Sequence, residues 1–305
     1  MNKTIIGLPE GVRLAVSPLS WTNDVLEDLG GDIPVETCLS EAAAAGYQGV
    51  ELGRKFPREV SLLKPLLEKN GLALASGWYS GELAERTVEA EVEAVTAHAS
   101  LLQAMGCQVM VYGEVAMMPP GSPLDAPMSG RLIMSGADAK AYAERLTEFS
   151  KRLHDRFGLR LAYHHHLMMV AETFDDISAI FDATGPQVGL LLDTGHAVAG
   201  GFEYTRPIER FGDRIVHIHL KDVRERELAE VRAADLSFND AVRSGMFTVP
   251  GDGMVDFGPI ARYVKSSGYR GWLVVEAEQD PKIAEPLPAV KRAYAHVSSI
   301  FQKQS

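Results

Sequence analysis

The side chains that could do chemistry in this chain are concentrated in four short clusters of histidine and carboxylate residues. Six of the nine histidines lie between positions 164 and 219. Each cluster follows a short run rich in Val, Ile or Leu, which is typical of a buried parallel strand. The clusters are YHHH at 163–166, DTGH at 193–196, HIH at 217–219 and EAE at 276–278. Since the carboxyl ends of parallel barrel strands share one face, this pattern predicts a divalent-metal site.

Alternation along a strand limits which of these side chains can face the same way. Residues i and i+2 share a face, so His164 pairs with His166, and three of the clusters each offer two candidates. Spacing alone leaves open which member of a pair binds the metal. One ligand per strand gives the set His164, Asp193, His219 and Glu276. Two imidazoles and two carboxylates suit Mn, Co, Zn or Fe better than Mg or Ca.

Other polar and aromatic residues near strand ends are candidates for contacts with a substrate. They are Trp21, Asn23, Glu51, Trp78 and Glu114. The carboxylates could bind hydroxyls or move a proton, and the indoles could stack on a sugar ring. Helix capping and core packing are the structural alternatives. Lys221 could stabilise an enolate or transfer a proton, or it could simply pair with Asp222.

Strand-like and helix-like segments alternate along the whole chain and predict a (β/α)8 TIM barrel. The strands are expected to include 72–76, 109–112, 159–163 and 188–192, with a long helix over 82–105. Residues 1–305 are expected to form one domain with long loops near 113–136 and 221–254. A doubly wound open sheet is the alternative, but no glycine-rich dinucleotide motif follows the first strand.

Composition narrows the possible partners and the compartment. The formal net charge of the 305 residues is −11, which argues against a nucleic-acid partner because such binding needs a basic face. No run of 18 apolar residues is present, so no membrane partner is expected. Two cysteines outside any CxxC motif and an amino-terminal segment without an apolar core predict a cytoplasmic protein.

The motifs taken together resemble one enzyme family. YHHH, FTVPGDG and VVEAEQDP, with SPLSWTNDVLEDLGGDIP near the start, are similar to the inosose (2-keto-myo-inositol) dehydratases. Those enzymes belong to the xylose-isomerase-like barrel superfamily. LDTGH and HLKD occur across that superfamily and are less specific. The resemblance covers nearly the whole chain, and it is weakest at 117–134 and 168–172.

The resemblance implies a reaction, a cofactor and a set of site residues. It implies elimination of water from 2-keto-myo-inositol with a divalent ion, Mn²⁺ or Co²⁺ before Zn²⁺ or Fe²⁺. The ligands carried over by motif are His164, Asp193, His219 and Glu276. A base must take the α-proton and an acid must protonate the leaving hydroxyl. The candidates for these two roles are Glu276, Glu278, His166, His196 and Lys221.

Two other functions remain open at this point. A metal-dependent isomerase, epimerase or eliminase of another keto-sugar, such as a 3-keto-glycoside, would use the same metal but treat the β-substituent differently. A sugar-binding barrel without catalysis is the alternative from another class. In each case the partner is a small polyol or keto-sugar. A homo-oligomer, either a dimer or a tetramer, is also expected.

Overall fold

The computed structural model describes residues 7–119 and 121–303, and its centre is a closed barrel of eight parallel strands. The strands follow one another around the barrel in chain order. The predicted (β/α)8 barrel is therefore confirmed. The barrel strands are β1 Val12–Val16, β2 Gly49–Leu52, β3 Ala73–Gly81, β4 Val109–Glu114, β5 Arg160–His164, β6 Gly189–Asp193, β7 Ile215–Leu220 and β10 Gly271–Val275. Two short strands outside the barrel, β8 Asp222–Val223 and β9 Phe247–Thr248, lie between β7 and β10 in the chain.

Helices surround the barrel and cover its outer surface. Large apolar side chains from helices and outward-facing strand positions form the main core between the two layers. The α-helices of the described residues are α1 Val35–Ala45, α2 Val60–Lys69, α3 Val88–Ala104, α4 Gly136–Phe157, α5 Phe174–Phe181, α6 Thr194–Ala199, α7 Thr205–Phe211, α8 Glu225–Ala233, α9 Phe238–Arg243, α10 Gly258–Ser266 and α11 Pro286–Lys303. Across 7–119 and 121–303, no helix is long and apolar enough to span a bilayer.

Several strands are longer than the sequence pattern predicts. β3 continues to Gly81 because it pairs with β4 from Trp78 onward, although this stretch carries glycine and polar residues. A side chain at Gly81 would overlap the ring of Tyr112, so only glycine allows the two strands to approach this closely. β5 and β6 have the predicted length but begin and end one residue later, which brings His164 and Asp193 into the barrel wall.

Two helical predictions need correction. The helix predicted over 82–105 begins only at Val88, because the Thr87 hydroxyl accepts a hydrogen bond from the Ala90 N–H and caps the first turn. No helix was predicted after the sixth strand, where α6 and α7 lie. Both are short, and α7 contains Pro207, so neither produces a clear helical periodicity.

The lower part of the barrel interior is filled by apolar side chains, which are small or branched apart from Trp272. Ala162 and Leu191 pack in one interior cluster, and Val274 packs in a second. Two residues further along the same strands lie His164, Asp193 and Glu276. Alternation therefore places the ligand candidates on the same inward column, directly above an apolar floor.

Residues 221–254 form a cap over the carboxyl-terminal mouth of the barrel. β8 and β9 pair antiparallel, and α8 and α9 connect them around a second apolar cluster that includes Phe238 and Phe247. The Asp222 carboxylate accepts hydrogen bonds from the backbone N–H groups of Gly251, Gly253 and Val255, at 2.9–3.0 Å. The VPGDG turn is therefore wrapped around one buried carboxylate.

The β4–α4 loop lies against this cap and against the loop after β5. Asn239 Nδ2 donates to Asp125 Oδ1 at 2.8 Å, which ties the loop to α9. Arg131 donates to the backbone carbonyl of Met169 at 3.2 Å and forms an ion pair with Asp176 at 3.1 Å. Arg131 thus joins the two segments for which the motifs predict the weakest resemblance, 117–134 and 168–172, above the barrel.

Glu114 was predicted to contact substrate, but it points away from the barrel interior. Its carboxylate accepts hydrogen bonds from Ala84 N–H, Ala116 N–H and the Tyr112 hydroxyl, at 3.0–3.1 Å. Val111 faces inward, so Glu114, three residues later, faces the helix layer. These hydrogen bonds lower the pKa of Glu114, but burial outweighs them and raises it to about 7.

This environment predicts a pH-dependent stability. Since the pKa of Glu114 is higher in the folded protein than its ordinary value of 4.5, its favourable contribution is complete below that value. It is lost as the pH rises through about 7. The difference in free energy of unfolding between wild type and Glu114→Gln should fall by about 3 kcal/mol between about pH 4 and pH 8. Urea denaturation across this range measures it.

The exposed Gln103 on α3 supplies a control variant, Gln103→Ala, for which the same difference should stay flat because neither side chain titrates. A wild-type advantage that grows with pH at Glu114 would contradict the assigned environment.

Candidate metal centre and active site

Four ligand-type side chains converge at the mouth of the barrel. They are His164, Asp193, His219 and Glu276, all buried, and one atom of each lies within 4.8 Å of the others. Asp193 Oδ2 lies 3.6 Å from both His164 Nε2 and His219 Nδ1. His219 Nδ1 lies 3.3 Å from Glu276 Oε2. Spacing left the choice within each pair open, and the folded chain brings together the one-per-strand set.

The atoms that face one another in this cluster have few hydrogen-bond partners. His164 Nδ1 donates to the His165 carbonyl at 2.6 Å, so Nε2 is the nitrogen that can bind a metal through its lone pair. Asp193 Oδ1 accepts from the His196 N–H, while Oδ2 has no hydrogen-bond partner among the described residues. His219 Nδ1 likewise lacks one. Unpartnered buried acceptors of this kind are costly, and a bound cation would satisfy them. The donor set fits a divalent transition metal.

Lys221 lies behind this cluster as its buried cation. Its Nζ is 2.7 Å from Glu276 Oε1, 2.9 Å from Glu278 Oε2 and 3.0 Å from His196 Nε2. These contacts use all three ammonium hydrogens. Burial lowers the pKa of Lys221, but the charges of Glu276 and Glu278 outweigh it and hold the pKa above its ordinary value. The alternative pairing with Asp222 is not formed, because that carboxylate binds backbone N–H groups.

The two glutamates beside Lys221 differ in their tendency to ionise. Burial raises the pKa of Glu276, but His219 and Lys221 outweigh it and lower the pKa to about 2. Burial raises the pKa of Glu278. Lys221 lowers this pKa and the charge of Glu276 raises it, and the net result is a pKa above the ordinary value. Neighbouring carboxyl groups with pKa values moved apart are a feature of acid–base sites.

His166 and His196 lie beside the metal cluster, with ring centres 3.8 Å apart. His166 Nδ1 donates to the Leu167 carbonyl at 2.7 Å, so Nε2 carries the free lone pair. Burial lowers the pKa of both histidines well below the ordinary value, and nearby positive charge lowers them further. Phe238 of the cap packs against the His166 ring at 5.1 Å.

A cavity of about 230 Å³ opens above the cluster. It is smaller than pockets for drug-sized ligands, which begin at about 300 Å³, and suits a single sugar-sized ring. Of the residues predicted to bind substrate, the cavity wall includes Asn23, Glu51 and Trp78. Of the predicted acid–base residues, it includes His166, Glu276 and Glu278. His196 and Lys221 lie behind this wall, and Glu114 is not part of it.

Trp21 was also predicted to contact substrate, and it does not line the cavity. The side chain is fully buried in the main core, and its Nε1 donates to Glu41 Oε2 at 2.6 Å. The next polar residue, Asn23, does reach the cavity wall. Its Oδ1 accepts from the N–H groups of Val25 and Leu26, at 2.8 and 2.7 Å, which fixes the side chain in a turn.

Some wall residues gave no usable signal in the sequence. Phe238 comes from the cap, and Met118 and Leu124 come from the β4–α4 loop. Their positions depend on contacts between loops that no periodicity records.

Two further residues of the site, Ser76 and His217, do not line the cavity but contact Glu51 inside the barrel. The His217-Ile218-His219 alternation could have indicated His217, but nothing pointed to Ser76.

Sequence comparison places relatives across almost the entire chain. The rhizopine catabolism protein MocC of Rhizobium meliloti is 45% identical over 287 residues, which cover 94% of this chain and 88% of that protein. The inosose dehydratase of Clostridium perfringens strain 13 is 38% identical over 287 residues, covering 94% and 96%. The resemblance to inosose dehydratases inferred from the motifs is confirmed.

Structural comparison agrees on the fold. The probable 3-DHS dehydratase AsbF from Bacillus anthracis superposes with a TM-score of 0.66 at 12% identity, covering 94% of this chain and 98% of that one. At this identity the likeness concerns the fold alone. Residues 39–299 match the sequence profile of the xylose isomerase-like TIM barrels. Barrel closure, strand order and this match agree, and the chain belongs to the xylose isomerase-like TIM barrel family.

Proposed function

We propose that this protein is a metal-dependent hydro-lyase that eliminates water from 2-keto-myo-inositol in inositol catabolism. The observation that carries the proposal is the buried cluster of two imidazoles and two carboxylates at the floor of a sugar-sized cavity. The inosose dehydratases that are 38% identical over 94% of the chain support the choice of substrate.

His164, Asp193, His219 and Glu276 would hold the metal, for which we propose Mn²⁺ or Co²⁺, with Zn²⁺ and Fe²⁺ as alternatives. When bound, such an ion supplies positive charge that polarises the substrate ketone and makes its α-proton easier to remove. The chain's own residues must then bind the ring, accept that proton and supply another to the leaving hydroxyl.

We assign proton transfer to His166 and Glu278, because both line the cavity and flank the cluster. His166 Nδ1 is occupied by the Leu167 carbonyl, so Nε2 is free to accept the α-proton. Glu278 gives a proton to the β-hydroxyl as the carbon–oxygen bond breaks, and water leaves. The product enol then tautomerises to the diketone, and solvent returns the two residues to their starting states.

Lys221 and His196 act from behind these two residues. All three hydrogens of the Lys221 ammonium are engaged by Glu276, Glu278 and His196. Lys221 therefore orients both carboxyl groups and balances the charge of Glu276, rather than donating to the substrate itself. Around the cavity, Trp78 offers a ring face, and Asn23 has its amide NH₂ group left to bind a hydroxyl.

The test is a turnover assay on metal-stripped protein given 2-keto-myo-inositol with and without Mn²⁺. We expect ultraviolet absorbance of the enolised diketone to grow only when Mn²⁺ is present. Absence of this signal from protein shown to contain its metal would overturn the dehydratase. Tight binding of inositol by metal-free, inactive protein would favour a sugar-binding barrel instead.

A matched pair of variants separates metal binding from proton transfer. Glu276 and Glu278 are two residues apart, and both contact Lys221. Glu276→Gln should lose metal on dialysis, because one carboxylate leaves the donor set. Glu278→Gln should keep its metal while kcat falls by about 10²–10⁴-fold, the range for a lost general acid. Metal content by mass spectrometry and kcat at saturating Mn²⁺ measure the two effects.

Equal metal loss in both variants would contradict this division of roles. A kcat for Glu278→Gln close to that of wild type would remove Glu278 from proton transfer.

A second candidate function is favoured by the apolar side of the cavity. The described residues of the β4–α4 loop that reach the cavity wall are Val115, Met118 and Leu124, and Met169 from the next loop joins them. Ring hydroxyls facing this side would lack hydrogen-bond partners, at about 1–3 kcal/mol each. A keto-sugar with an apolar substituent, such as a 3-keto-glycoside, would fit it, and an isomerase, epimerase or eliminase would act on such a substrate.

The two functions predict different substrate preferences. For the dehydratase, kcat/KM for 2-keto-myo-inositol should exceed that for a nitrophenyl 3-keto-glucoside, whose cleavage releases coloured nitrophenol. Met118→Gln should then change the inosose value little. The second function predicts the reverse preference, and a loss of about tenfold on the glycoside in this variant, as expected for one apolar contact.

A further inference from the structure

Glu51, at the end of β2, forms a hydrogen-bonded group that crosses the barrel interior. One of its oxygens, Oε1, accepts from His217 Nε2 at 2.9 Å and from His219 Nε2 at 3.2 Å. The Ser76 hydroxyl of β3 donates to the same oxygen. β2 and β7 are not neighbours in the barrel wall, since β1 and β10 separate them. A single buried carboxylate thus joins both histidines of β7 to the opposite side.

These contacts determine which nitrogen of His219 carries the hydrogen. A carboxylate oxygen that accepts from Ser76 and two rings has no hydrogen of its own to give, so His219 Nε2 must be the donor. When the ring binds a metal it keeps only this hydrogen, so Nδ1 is the nitrogen that supplies the lone pair. That atom is the one facing the metal cluster, 3.3 Å from Glu276 Oε2, and it has no hydrogen-bond partner among residues 7–119 and 121–303.

The alternative is a second metal held by Glu51, His217 and His219, whose ligand atoms also lie close together. In that arrangement both ring nitrogens facing Glu51 would have to lose their hydrogens. His219 would then bridge two ions as an anion. The short contacts around Oε1 are instead explained by three hydrogen bonds, which Ser76, His217 and His219 donate. The geometry therefore favours a hydrogen-bond acceptor over a second metal site.

We infer that Glu51 is a positioning residue for the metal centre, which holds His219 in the Nε2–H tautomer with Nδ1 directed at the ion. The inference rests on the proposed function only in taking the cluster of four residues as a metal site. Glu51 need not touch the metal or the reacting atoms to have this effect. Carboxylates that accept from a ligating histidine act in this way in other metal sites, and their loss weakens metal binding.

The test is a Co²⁺ titration of metal-stripped protein, followed by visible absorbance. Glu51→Gln should bind Co²⁺ about 10–100-fold more weakly than wild type, the range for loss of such a partner. The matched control is Glu91→Gln. Glu91 is another fully buried glutamate, which accepts from Glu82 N–H and pairs with Arg86 far from the cluster. This control should lower the unfolding temperature without changing Co²⁺ affinity.

Co²⁺ affinity of a folded Glu51→Gln within twofold of wild type would overturn the inference. So would an equal loss of affinity in Glu91→Gln, because that would show a general effect of stability.

A second measurement does not depend on any variant. Nitrogen-15 spectra of histidine-labelled wild type loaded with diamagnetic Zn²⁺ should show His219 with its hydrogen on Nε2 and with Nδ1 bound to the ion. The opposite tautomer would overturn the inference. Failure of the proposed function is distinguishable, because an enzyme inactive on 2-keto-myo-inositol could still show the tautomer and the loss of Co²⁺ affinity.

Discussion

The burial of several carboxyl groups at the barrel mouth is the constraint on which the rest of the site depends. The carboxyl groups of Glu51, Asp193, Glu276 and Glu278 are all nearly inaccessible to water. Lys221 lies among these carboxyl groups and supplies a buried positive charge. Its three ammonium hydrogens are already engaged by two glutamates and a histidine. Buried carboxylates are tolerated only with cations or several donors. Asp193 Oδ2 and His219 Nδ1 mark the place where the described residues supply no hydrogen bond, and the nearest ammonium, that of Lys221, stays 3.8 Å from Asp193 Oδ2.

The barrel supplies the rigidity that this concentration of charge requires. An apolar floor of interior side chains below the cluster excludes water and fixes the strands at its level. Each ligand is then held by a second contact, such as the His165 carbonyl for His164 and the His196 N–H for Asp193. Ligands on strand ends, with their orientation fixed by neighbours, give a site that exists before metal or substrate binds.

The strand-end residues could be predicted because residue type, periodicity and fold all point to the same face. His164, Asp193, His219 and Glu276 follow apolar runs, and parallel strands bring such positions together. The same rule predicted that Glu114 faces the barrel interior, because the alternation of side chains along the strand was not applied to it. Val111 faces inward, and Glu114 therefore faces outward. The alternation was present in the sequence and could have excluded it.

Trp21 and the cap illustrate a different limit. Whether an indole packs in the core or lines a cavity depends on the path of its loop, which local pattern does not determine. Phe238 reaches the cavity because α9 packs in the apolar cluster of the cap, through contacts between residues far apart in sequence. Such loop-to-loop packing has no period for a sequence pattern to reveal.

The site therefore combines two parts with different physical requirements. The floor of the cavity, which lies above the apolar layer of the barrel interior, is polar. Its side chains are linked by hydrogen bonds and come from β2, β5, β6, β7 and the residues after β10, so a change to one of them leaves another buried charge uncompensated. The wall formed by the β4–α4 loop is apolar, and Met118 or Leu124 can be exchanged without disturbing any hydrogen bond of the floor. For the proposed function, the barrel strands would therefore set the chemistry, and loops that can vary independently would set the choice among keto-sugars. The two segments for which the motifs predict the weakest resemblance, 117–134 and 168–172, contribute Met118, Leu124 and Met169 to that wall, so the reaction type follows more directly from the structure than the identity of the ring substituents.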